Sequence, residues 1–147
     1  MTSLIGKLFG RDSRLSALEL LILNSVWDQL SSAGAGLWDK QVGEINKVQR
    51  LPDGVEVNFY RMKGGKPSFD DALAFANQEE ELLAATVKVS VPTFQETLTA
   101  NVWCVRGFVF SIEYKGSAKY FEEAAGMDPA PSFQIDCQLN ADLSKPH

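Results

Sequence analysis

Three acidic side chains fall on segments in which apolar and polar residues alternate, and their carboxylates could act in acid–base chemistry. Glu56, Glu113 and Asp136 each lie at a polar position of a predicted strand. Two carboxylates about 5 to 9.5 Å apart can hydrolyse a glycosidic bond. The same positions also form the solvated face of an antiparallel sheet. We favour the solvated face, and a small-ligand or carbohydrate-acting enzyme that uses these carboxylates is the alternative.

The sequence contains a single histidine, His147, which is its last residue. Ser-His-Asp and Cys-His nucleophilic mechanisms, HExxH zinc chemistry and most transition-metal sites need an imidazole held within a fold. The sequence also lacks the GxGxxG, GxxxxGK[ST] and EF-hand patterns. We therefore predict no catalytic residues, no metal and no cofactor, and we expect a protein that is not an enzyme.

The segment KGGKPS, which begins at Lys63, carries the ingredients of an anion-binding loop. Lys63, Gly64, Gly65 and Lys66 precede a predicted helix start at Ser68, and the free N–H groups of a helix start attract phosphate or carboxylate. A solvent-exposed turn needs the same glycines. Because no fingerprint spacing accompanies the loop, a simple turn is the favoured interpretation and an anion site is the alternative.

Trp103 is the residue best suited to a protein interface. Strand alternation places Trp103 on the face opposite Cys104, beside Asn101, Ser111 and Glu113. A tryptophan among polar residues on an outer sheet face has the composition of an interface anchor. Coverage by another element of the same chain is the other interpretation. We take Trp103 and its three polar neighbours as the candidate partner-binding residues.

The connection between two late strands decides which residues share a face of the sheet. A two-residue loop would place Cys104 opposite Val109 and would mix apolar with polar residues. A three-residue loop over 105–107, with Gly107 at positive φ, would place Cys104 opposite Phe108 and would keep one face wholly apolar. We therefore predict the three-residue loop.

Composition and charge narrow the range of partners. A hydrophobic fraction of 45% and a charged fraction of 22% are ordinary for a globular domain. The net charge of −5 disfavours nucleic acid, whose phosphates attract clustered lysine and arginine, and it suits a basic protein. The two cysteines, Cys104 and Cys137, lie in alternating apolar stretches and are expected to be buried and reduced.

The first residues are expected to form a short arm over 1–12, followed by one domain over 13–147. The arm lacks the apolar core and the small-residue cleavage site of a signal peptide. Its apolar residues make one short helical turn, which is too little for stable membrane association. The apolar run from Leu15 to Leu30 is too short and too interrupted to span a bilayer. We therefore expect a cytoplasmic protein.

Hydrophobic periodicity and turn residues predict an α+β domain in the order α-β-β-α-β-β-β-α-β. About six strands should form a single layer of mostly antiparallel sheet, with the helices packed on one face. The first helix should begin at a capping box formed by Ser16 and Glu19, and a glycine-bearing loop over 31–36 should follow it. The predicted helices cover about 16–30, 68–84 and 117–125, and the predicted strands cover about 45–49, 55–62, 87–91, 98–104, 108–114 and 133–140.

The stretch VWCVRGFVFSIEY, from Val102 to Tyr114, resembles a segment of small uncharacterised bacterial proteins, some of which are of the toxin-neutralising immunity type. The resemblance covers about a tenth of the chain. It carries no functional residues that could be transferred to this sequence. What it implies is a bacterial binding protein.

Taken together, these features favour a non-enzymatic protein-binding module of the bacterial inhibitor or immunity type, which neutralises a basic partner. Electrostatic complementarity of that kind raises the association rate and the specificity. The broad apolar stripe of the first helix leaves a homodimeric structural subunit as a further alternative. A deep pocket that gathers titratable residues would favour the enzyme, whereas acidic groups spread over an open face would favour the binding module.

Overall fold

The computed structural model describes residues 15–147, and the predicted arm over 1–12 lies outside them. The described residues contain α1 (Ala17–Trp27), α2 (Ser32–Gly43), a 3₁₀ turn (Asp71–Leu73) and α3 (Lys119–Ala125). Their strands are β1 (Lys47–Arg50), β2 (Glu56–Tyr60), β3 (Met62–Lys63), β4 (Lys66–Pro67), β5 (Leu82–Val91), β6 (Phe94–Val105), β7 (Phe108–Lys115) and β8 (Gln134–Leu139). Within this part of the chain, no helix combines the length and the apolar character needed to cross a membrane.

Six of the strands form one antiparallel sheet in the order β1-β2-β7-β6-β5-β8, and β3 pairs with β4 in a separate small hairpin. The inward side chains of the sheet and the buried side chains of the helices belong to a single hydrophobic core. Because each helix contributes to that core, the helices cover one face of the sheet. The predicted α+β class with a mostly single antiparallel sheet is confirmed.

The first helix begins at the capping box that the sequence predicts. The Ser16 hydroxyl accepts a hydrogen bond from the Glu19 N–H at 3.1 Å, and the Ser16 N–H donates to Glu19 Oε1 at 2.8 Å. Two N–H groups that the helix itself cannot pair are satisfied in this way. From this start, α1 buries Leu18, Ile22 and Val26 completely in the core.

The second helix, α2, is missing from the sequence prediction, which placed a loop over 31–36. Ser31 is the N-cap of α2, and its hydroxyl accepts a hydrogen bond from the Gly34 N–H at 3.2 Å. Glycine disfavours a helix interior. Tertiary contacts override that preference here, because Trp38 is buried and its indole N–H donates to the Leu23 carbonyl at 3.1 Å.

The helix predicted over 68–84 is also wrong, and the described structure there is one 3₁₀ turn followed by an extended segment. The backbone of this segment forms hydrogen bonds with distant parts of the chain. The Phe75 N–H donates to the Gly107 carbonyl at 2.9 Å, and the Asn77 N–H donates to the Leu143 carbonyl at 3.0 Å. These pairings use the donors that a helix would need, and β5 then begins at Leu82, five residues earlier than predicted.

The β6–β7 hairpin has a two-residue loop, so the predicted three-residue loop is wrong. Val105 pairs with Phe108, and the two residues between them, Arg106 and Gly107, have φ angles of 51° and 91°. Two consecutive positive φ angles are typical of the tight turns that match the twist of a hairpin. The positive φ predicted for Gly107 is confirmed.

A β-bulge in β7 keeps the inner face of this hairpin apolar in spite of the short loop. Cys104 pairs with Val109, whereas Trp103 pairs with Ser111, so Phe110 is one extra residue of β7. The strand returns to its predicted phase after the bulge. Phe110 itself, which the sequence places in the core, leaves the inner face.

The last strand, β8, shows the alternation that the sequence predicts, with inward residues half-buried and outward residues exposed. Cys104 and Cys137 are both free thiols, and Cys104 is buried. Cys137 is only half-buried because β8 is an edge strand of the sheet. Burial raises the pKa of Cys104 to about 12, so this thiol stays protonated near neutral pH.

Candidate functional site

The sheet face on the side away from the helices carries the residues that the sequence proposes for partner binding. Trp103 pairs with Ser111, and Asn101 pairs with Glu113, across β6 and β7. Paired residues of antiparallel strands point to the same face, so the four side chains are neighbours as predicted. Ser111 is buried and the other three are half-buried. Their role in binding stays a prediction.

Hydrogen bonds link these side chains to each other and to the next strand. The Trp103 indole N–H donates to Glu113 Oε1 at 3.2 Å, which fixes the ring across β7. The Lys115 ammonium group lies 3.9 Å from the same oxygen. On the other side, the Thr86 hydroxyl donates to Asn101 Oδ1 at 3.1 Å. The face is therefore a connected polar surface with an indole ring at its centre.

A second aromatic ring, that of Phe110, lies on this face at the β-bulge. Phe110 packs edge-on against Tyr60, with ring centroids 5.4 Å apart. The Tyr60 hydroxyl in turn donates to Gln49 Oε1 at 3.2 Å. Phe110 and Trp103 line one cleft. The two-residue loop turns Phe110 to the outer face, and the bulge then keeps Ser111 on that face opposite Trp103, so the cleft has an apolar wall beside its polar residues.

This cleft has a volume of about 260 Å³ and opens between β2, β6 and β7. Three carboxylates line it, from Glu56, Glu81 and Glu113, and the described residues of its lining include no lysine or arginine. Glu56 and Glu113 are directly opposite each other across β2 and β7. Like charges in opposite positions of an antiparallel pair repel one another. The cleft is therefore acidic, and two of its three carboxylates, those of Glu56 and Glu113, repel each other.

Asn58 forms part of the same cleft and is unusual in its hydrogen bonding. Its side chain is only 8% exposed, and its Nδ2 donates to Gln49 Oε1 at 3.4 Å. Its buried Oδ1 has no hydrogen-bond partner among residues 15–147. Buried polar atoms are nearly always paired in folded proteins. An unpaired acceptor in the lining of a cleft marks a place where a donor from another molecule could bind.

The segment predicted as an anion-binding loop forms a tight hairpin turn. Lys63 pairs with Lys66 across β3 and β4, and Gly64 and Gly65 between them have φ angles of 61° and 80°. Glycine favours such a turn, which accounts for both glycines. The helix predicted behind the loop is absent from the described structure, so its dipole cannot attract an anion here. The anion site stays a prediction without that support.

Arg61 follows β2 and is a buried cation that the sequence prediction did not single out. Its Nε donates to the Gln41 carbonyl at 3.2 Å, and its Nη1 donates to the Val109 carbonyl at 2.9 Å. The guanidinium group lies 5.7 Å from the centroid of the Phe108 ring. Burial lowers the pKa of Arg61 to about 10. These contacts join the end of β2 to α2 and β7, so we assign Arg61 a structural role.

A second group of ionisable side chains lies where α1, β1, β7 and α3 meet. The Glu122 carboxylate accepts from the Ser16 hydroxyl at 3.0 Å, and burial raises the pKa of Glu122. The Tyr114 hydroxyl is buried and has no hydrogen-bond partner within residues 15–147. Arg50, which pairs with Glu19, lines a pocket of about 320 Å³ together with Tyr114 and Glu122. Strand alternation could not predict this group, because its members come from four separate elements.

The three carboxylates that the sequence suggests for acid–base chemistry are not brought together. Glu56 and Glu113 are neighbours, whereas Asp136 is on the edge strand β8, where it pairs with Lys88 of β5. Three strand spacings separate β7 from β8, so Asp136 is about 14 Å or more from the other two. Among the residues that the structure describes, no cluster of His, Cys, Asp and Glu could hold a metal ion.

A wider groove of about 880 Å³ runs between the α1–α2 connection and the segments 74–76 and 139–144. Leucine, alanine and phenylalanine side chains make up most of its lining, and Asp142 is its one titratable residue within the described chain. The hydrogen bond from Ser144 lowers the pKa of Asp142, so this carboxylate stays ionised. A groove of this kind offers no pair of groups for acid–base catalysis.

Two polar residues of the acidic cleft, Asn58 and Glu81, were missed as site residues by the sequence prediction. Asn58 alternates with Val57 and Phe59, and that alternation was a signal that it points outward. Nothing in the pattern pointed to Glu81, because it falls within the helix that was wrongly predicted.

No family model, no curated protein and no solved structure matches this chain. Function therefore has to be inferred from the geometry and chemistry of the site itself.

Proposed function

We propose that this chain is a non-enzymatic protein-binding module of the bacterial inhibitor or immunity type, which binds a basic protein through the outer sheet face around Trp103. The observation that carries the proposal is the Trp103 ring, half-buried at the centre of a polar sheet face away from the helices. Tryptophan is among the residues most enriched at the centres of protein interfaces. Its amphipathic indole gives a large contact area while its N–H stays paired.

Charge supports a basic partner. Glu56, Glu81 and Glu113 line the cleft beside Trp103, and the whole chain carries a net charge of −5. Complementary charge of this kind steers association and suppresses binding to partners of the same sign. Lys115 offsets part of the charge of Glu113, and both of these side chains are substantially exposed to solvent. The surface is therefore acidic at the cleft and mixed at its margin.

A binding role is also favoured by what the cavities contain. The acidic cleft of about 260 Å³ is smaller than the roughly 300–1,000 Å³ of most small-molecule sites. The wider groove has room for a ligand but contains one titratable side chain among its described residues, Asp142. Neither of these two cavities combines substrate-sized space with an acid–base pair. The pocket of about 320 Å³ beside Tyr114 and Glu122 does contain titratable groups, so an enzyme of the alternative class would act there.

The test uses Trp103→Ala with Tyr120→Ala as its matched control. Tyr120 is an exposed aromatic residue of α3 that stacks on Phe94, so its truncation removes a ring outside the sheet face. Basic proteins retained from an extract of the producing cells on the wild-type chain are identified, purified and measured by calorimetry. We expect Trp103→Ala to weaken binding by about 2 kcal/mol or more, roughly 30-fold. Tyr120→Ala should bind like the wild type.

Two results would contradict the proposal. One is a purified partner whose affinity is the same for wild type and for Trp103→Ala. The other is a loss of folding stability of about 3–5 kcal/mol in Trp103→Ala, which is the range for an aromatic residue buried in a second internal layer. A stable dimer that Trp103→Ala dissociates, with no other partner, would favour the homodimeric alternative.

A further inference from the structure

The acidic cleft on the outer sheet face has a composition that points to one particular chemical group of a partner. It lies between β2, β6 and β7 and is lined by three carboxylates, two aromatic rings and the amide of Asn58. With a volume of about 260 Å³, it has room for one long side chain, and it is too small for most organic ligands. Given the proposed function, on which this inference rests, the lining of the cleft indicates which side chain of the partner would fit.

The hydrogen-bonding groups of the cleft are mainly acceptors. Glu56 and Glu113 face each other across β2 and β7, where like charges repel. The Trp103 indole N–H already donates to Glu113 and is not free to serve a ligand. Glu81 adds a third carboxylate from the segment before β5. A cationic donor placed between these groups would remove the repulsion between the carboxylates and would also donate hydrogen bonds to their oxygens.

Asn58 supplies an independent indication of the same polarity. Its side chain is more than nine-tenths buried, and its Nδ2 is directed to Gln49. The remaining atom, Oδ1, has no donor among residues 15–147. A buried acceptor without a partner costs free energy that is recovered when a donor reaches it. At the wall of the cleft, the acceptor atom of this amide is therefore the one left without a partner.

The two rings of the cleft favour a flat cation over a compact one. Trp103 and Phe110 present aromatic surface on which a guanidinium group can stack. Guanidinium is planar, carries five N–H donors in a fixed fork and is more weakly hydrated than ammonium. A lysine ammonium group has three donors around a point charge and cannot stack in the same way.

We propose that the cleft binds the guanidinium group of one arginine side chain presented by the basic partner. The carboxylates of Glu56 and Glu113 and the Oδ1 atom of Asn58 accept its hydrogen bonds, and the ring of Trp103 stacks on its face. This assignment makes Asn58 and Glu56 specificity-determining residues for the partner.

The test titrates the chain with N-acetyl-arginine methylamide and follows the Trp103 indole resonance by ¹⁵N NMR. The matched probes are the lysine analogue, which is charged but not planar, and the citrulline analogue, which is planar but neutral. We expect saturable shifts with the arginine analogue, weaker binding of the lysine analogue and none of the citrulline analogue. Trp103→Phe assigns the resonance, because Trp27 and Trp38 also contribute indole signals.

Two variants test the assignment of the acceptors, and one variant controls for net charge. Asn58→Leu and Glu56→Gln should each bind the arginine analogue about ten-fold more weakly, since hydrogen bonds to a charged group contribute on this scale. Glu96→Gln removes an exposed carboxylate of β6 outside the cleft and should leave the affinity unchanged. Denaturation of each variant in urea shows that it is folded.

The inference is overturned if the arginine analogue binds no better than citrulline, or if Asn58→Leu and Glu96→Gln behave alike. Its failure can be separated from that of the proposed function. A partner that is lost on Trp103→Ala while no arginine analogue binds would keep the sheet face as the contact surface and remove only the guanidinium site. A partner that binds Trp103→Ala normally would remove the proposed function, whatever the analogues do.

Discussion

The guanidinium group of Arg50 forms two parallel hydrogen bonds to the carboxylate of Glu19, from Nη2 to Oε1 at 2.8 Å and from Nε to Oε2 at 3.0 Å. The two residues differ greatly in burial, because the Glu19 side chain is 0% exposed and that of Arg50 is 46% exposed. The pair joins the first turn of α1 to the edge strand β1. Because only Glu19 is fully buried, replacing Arg50 and replacing Glu19 should lower the free energy of unfolding by different amounts.

We expect Arg50→Met to destabilise the fold more than Glu19→Gln. Arg50→Met removes the guanidinium group from the buried Glu19 carboxylate, which still accepts from the Ser16 N–H. A buried charge that loses its partner costs about 3 kcal/mol or more. Glu19→Gln keeps an oxygen that can accept from Ser16 and leaves an arginine that water can hydrate. Urea denaturation of both variants measures the difference. Equal losses, or a larger loss in Glu19→Gln, would contradict this account of the pair.

Glu122 should make stability depend on pH just above the ordinary range of a glutamate. Burial raises the pKa of Glu122 above its ordinary value of 4.5, and the hydrogen bond from Ser16 opposes that shift only in part. In the window between 4.5 and the folded value, the folded state holds the proton more tightly than the unfolded state. The free energy of unfolding therefore rises as pH falls through that window and drops as pH rises through it.

The measurement for this prediction compares the wild type with Glu122→Gln across pH 4 to 8. We expect the variant to gain on the wild type as pH rises, because it carries no charge to desolvate. Glu123→Gln, at the exposed neighbouring position of α3, is the matched control for losing one carboxylate. A constant difference between wild type and Glu122→Gln at every pH would show that Glu122 titrates normally.

The six strands of the main sheet and the first and last helices could be predicted from the sequence because local pattern decided them. The capping box of Ser16 and Glu19 and the strict alternation of β8 are signals that need no knowledge of distant contacts. The neighbours of Trp103 also followed from alternation alone. The bulge at Phe110 preserved that outcome although the loop length was wrong.

The errors lie where tertiary contacts overrule local preference. The glycine-rich start of α2 reads as a loop, yet the burial of Trp38 and Gln41 holds it helical. The capping signature at Ser68 reads as a helix start, yet the backbone after Leu73 bonds to Gly107 and to Leu143. The unpaired Oδ1 of Asn58 depends on which residues surround it in space, and no sequence pattern encodes that.

Gly107 should be much less tolerant of a side chain than another glycine with a similar φ. A Cβ atom at Gly107 would lie 2.9 Å from the Phe75 carbonyl oxygen, and the φ angle there is 91°. Gly116 has a φ angle of 106° and open space around its Cβ position. Gly116→Ala therefore measures the backbone cost alone, about 1 kcal/mol or more, and Gly107→Ala adds overpacking of roughly 1–3 kcal/mol.

Urea denaturation of the two alanine variants checks this comparison. Equal losses of stability would mean that the chain around Phe75 moves aside, and that the hydrogen bond from its N–H to the Gly107 carbonyl does not hold the two segments together.

Glu56 should destabilise the free protein slightly, because it faces Glu113 across β2 and β7. We expect Glu56→Gln to raise the free energy of unfolding by roughly 0.2–1 kcal/mol at low salt, since two like charges at paired positions of neighbouring strands repel on this scale. Added salt should shrink the gain by screening the repulsion in the wild type. Glu56 is the better position to change, because Glu113 also accepts from Trp103 and would lose that bond.

The control for Glu56→Gln is again Glu96→Gln. Glu96 lies on β6, five residues before Asn101, and Asn101 is the residue of β6 that pairs with Glu113. It removes the same charge about 17 Å away along the strand and should not stabilise the fold. Glu56→Gln should both stabilise the fold and weaken binding of the arginine analogue. That pair of results would mean that the repulsion between Glu56 and Glu113 lowers the stability of the free protein while the same two carboxylates bind the cation. If Glu56→Gln instead destabilises the fold, the two carboxylates are compensated within the chain, and the cleft has no excess of negative charge to offer a partner.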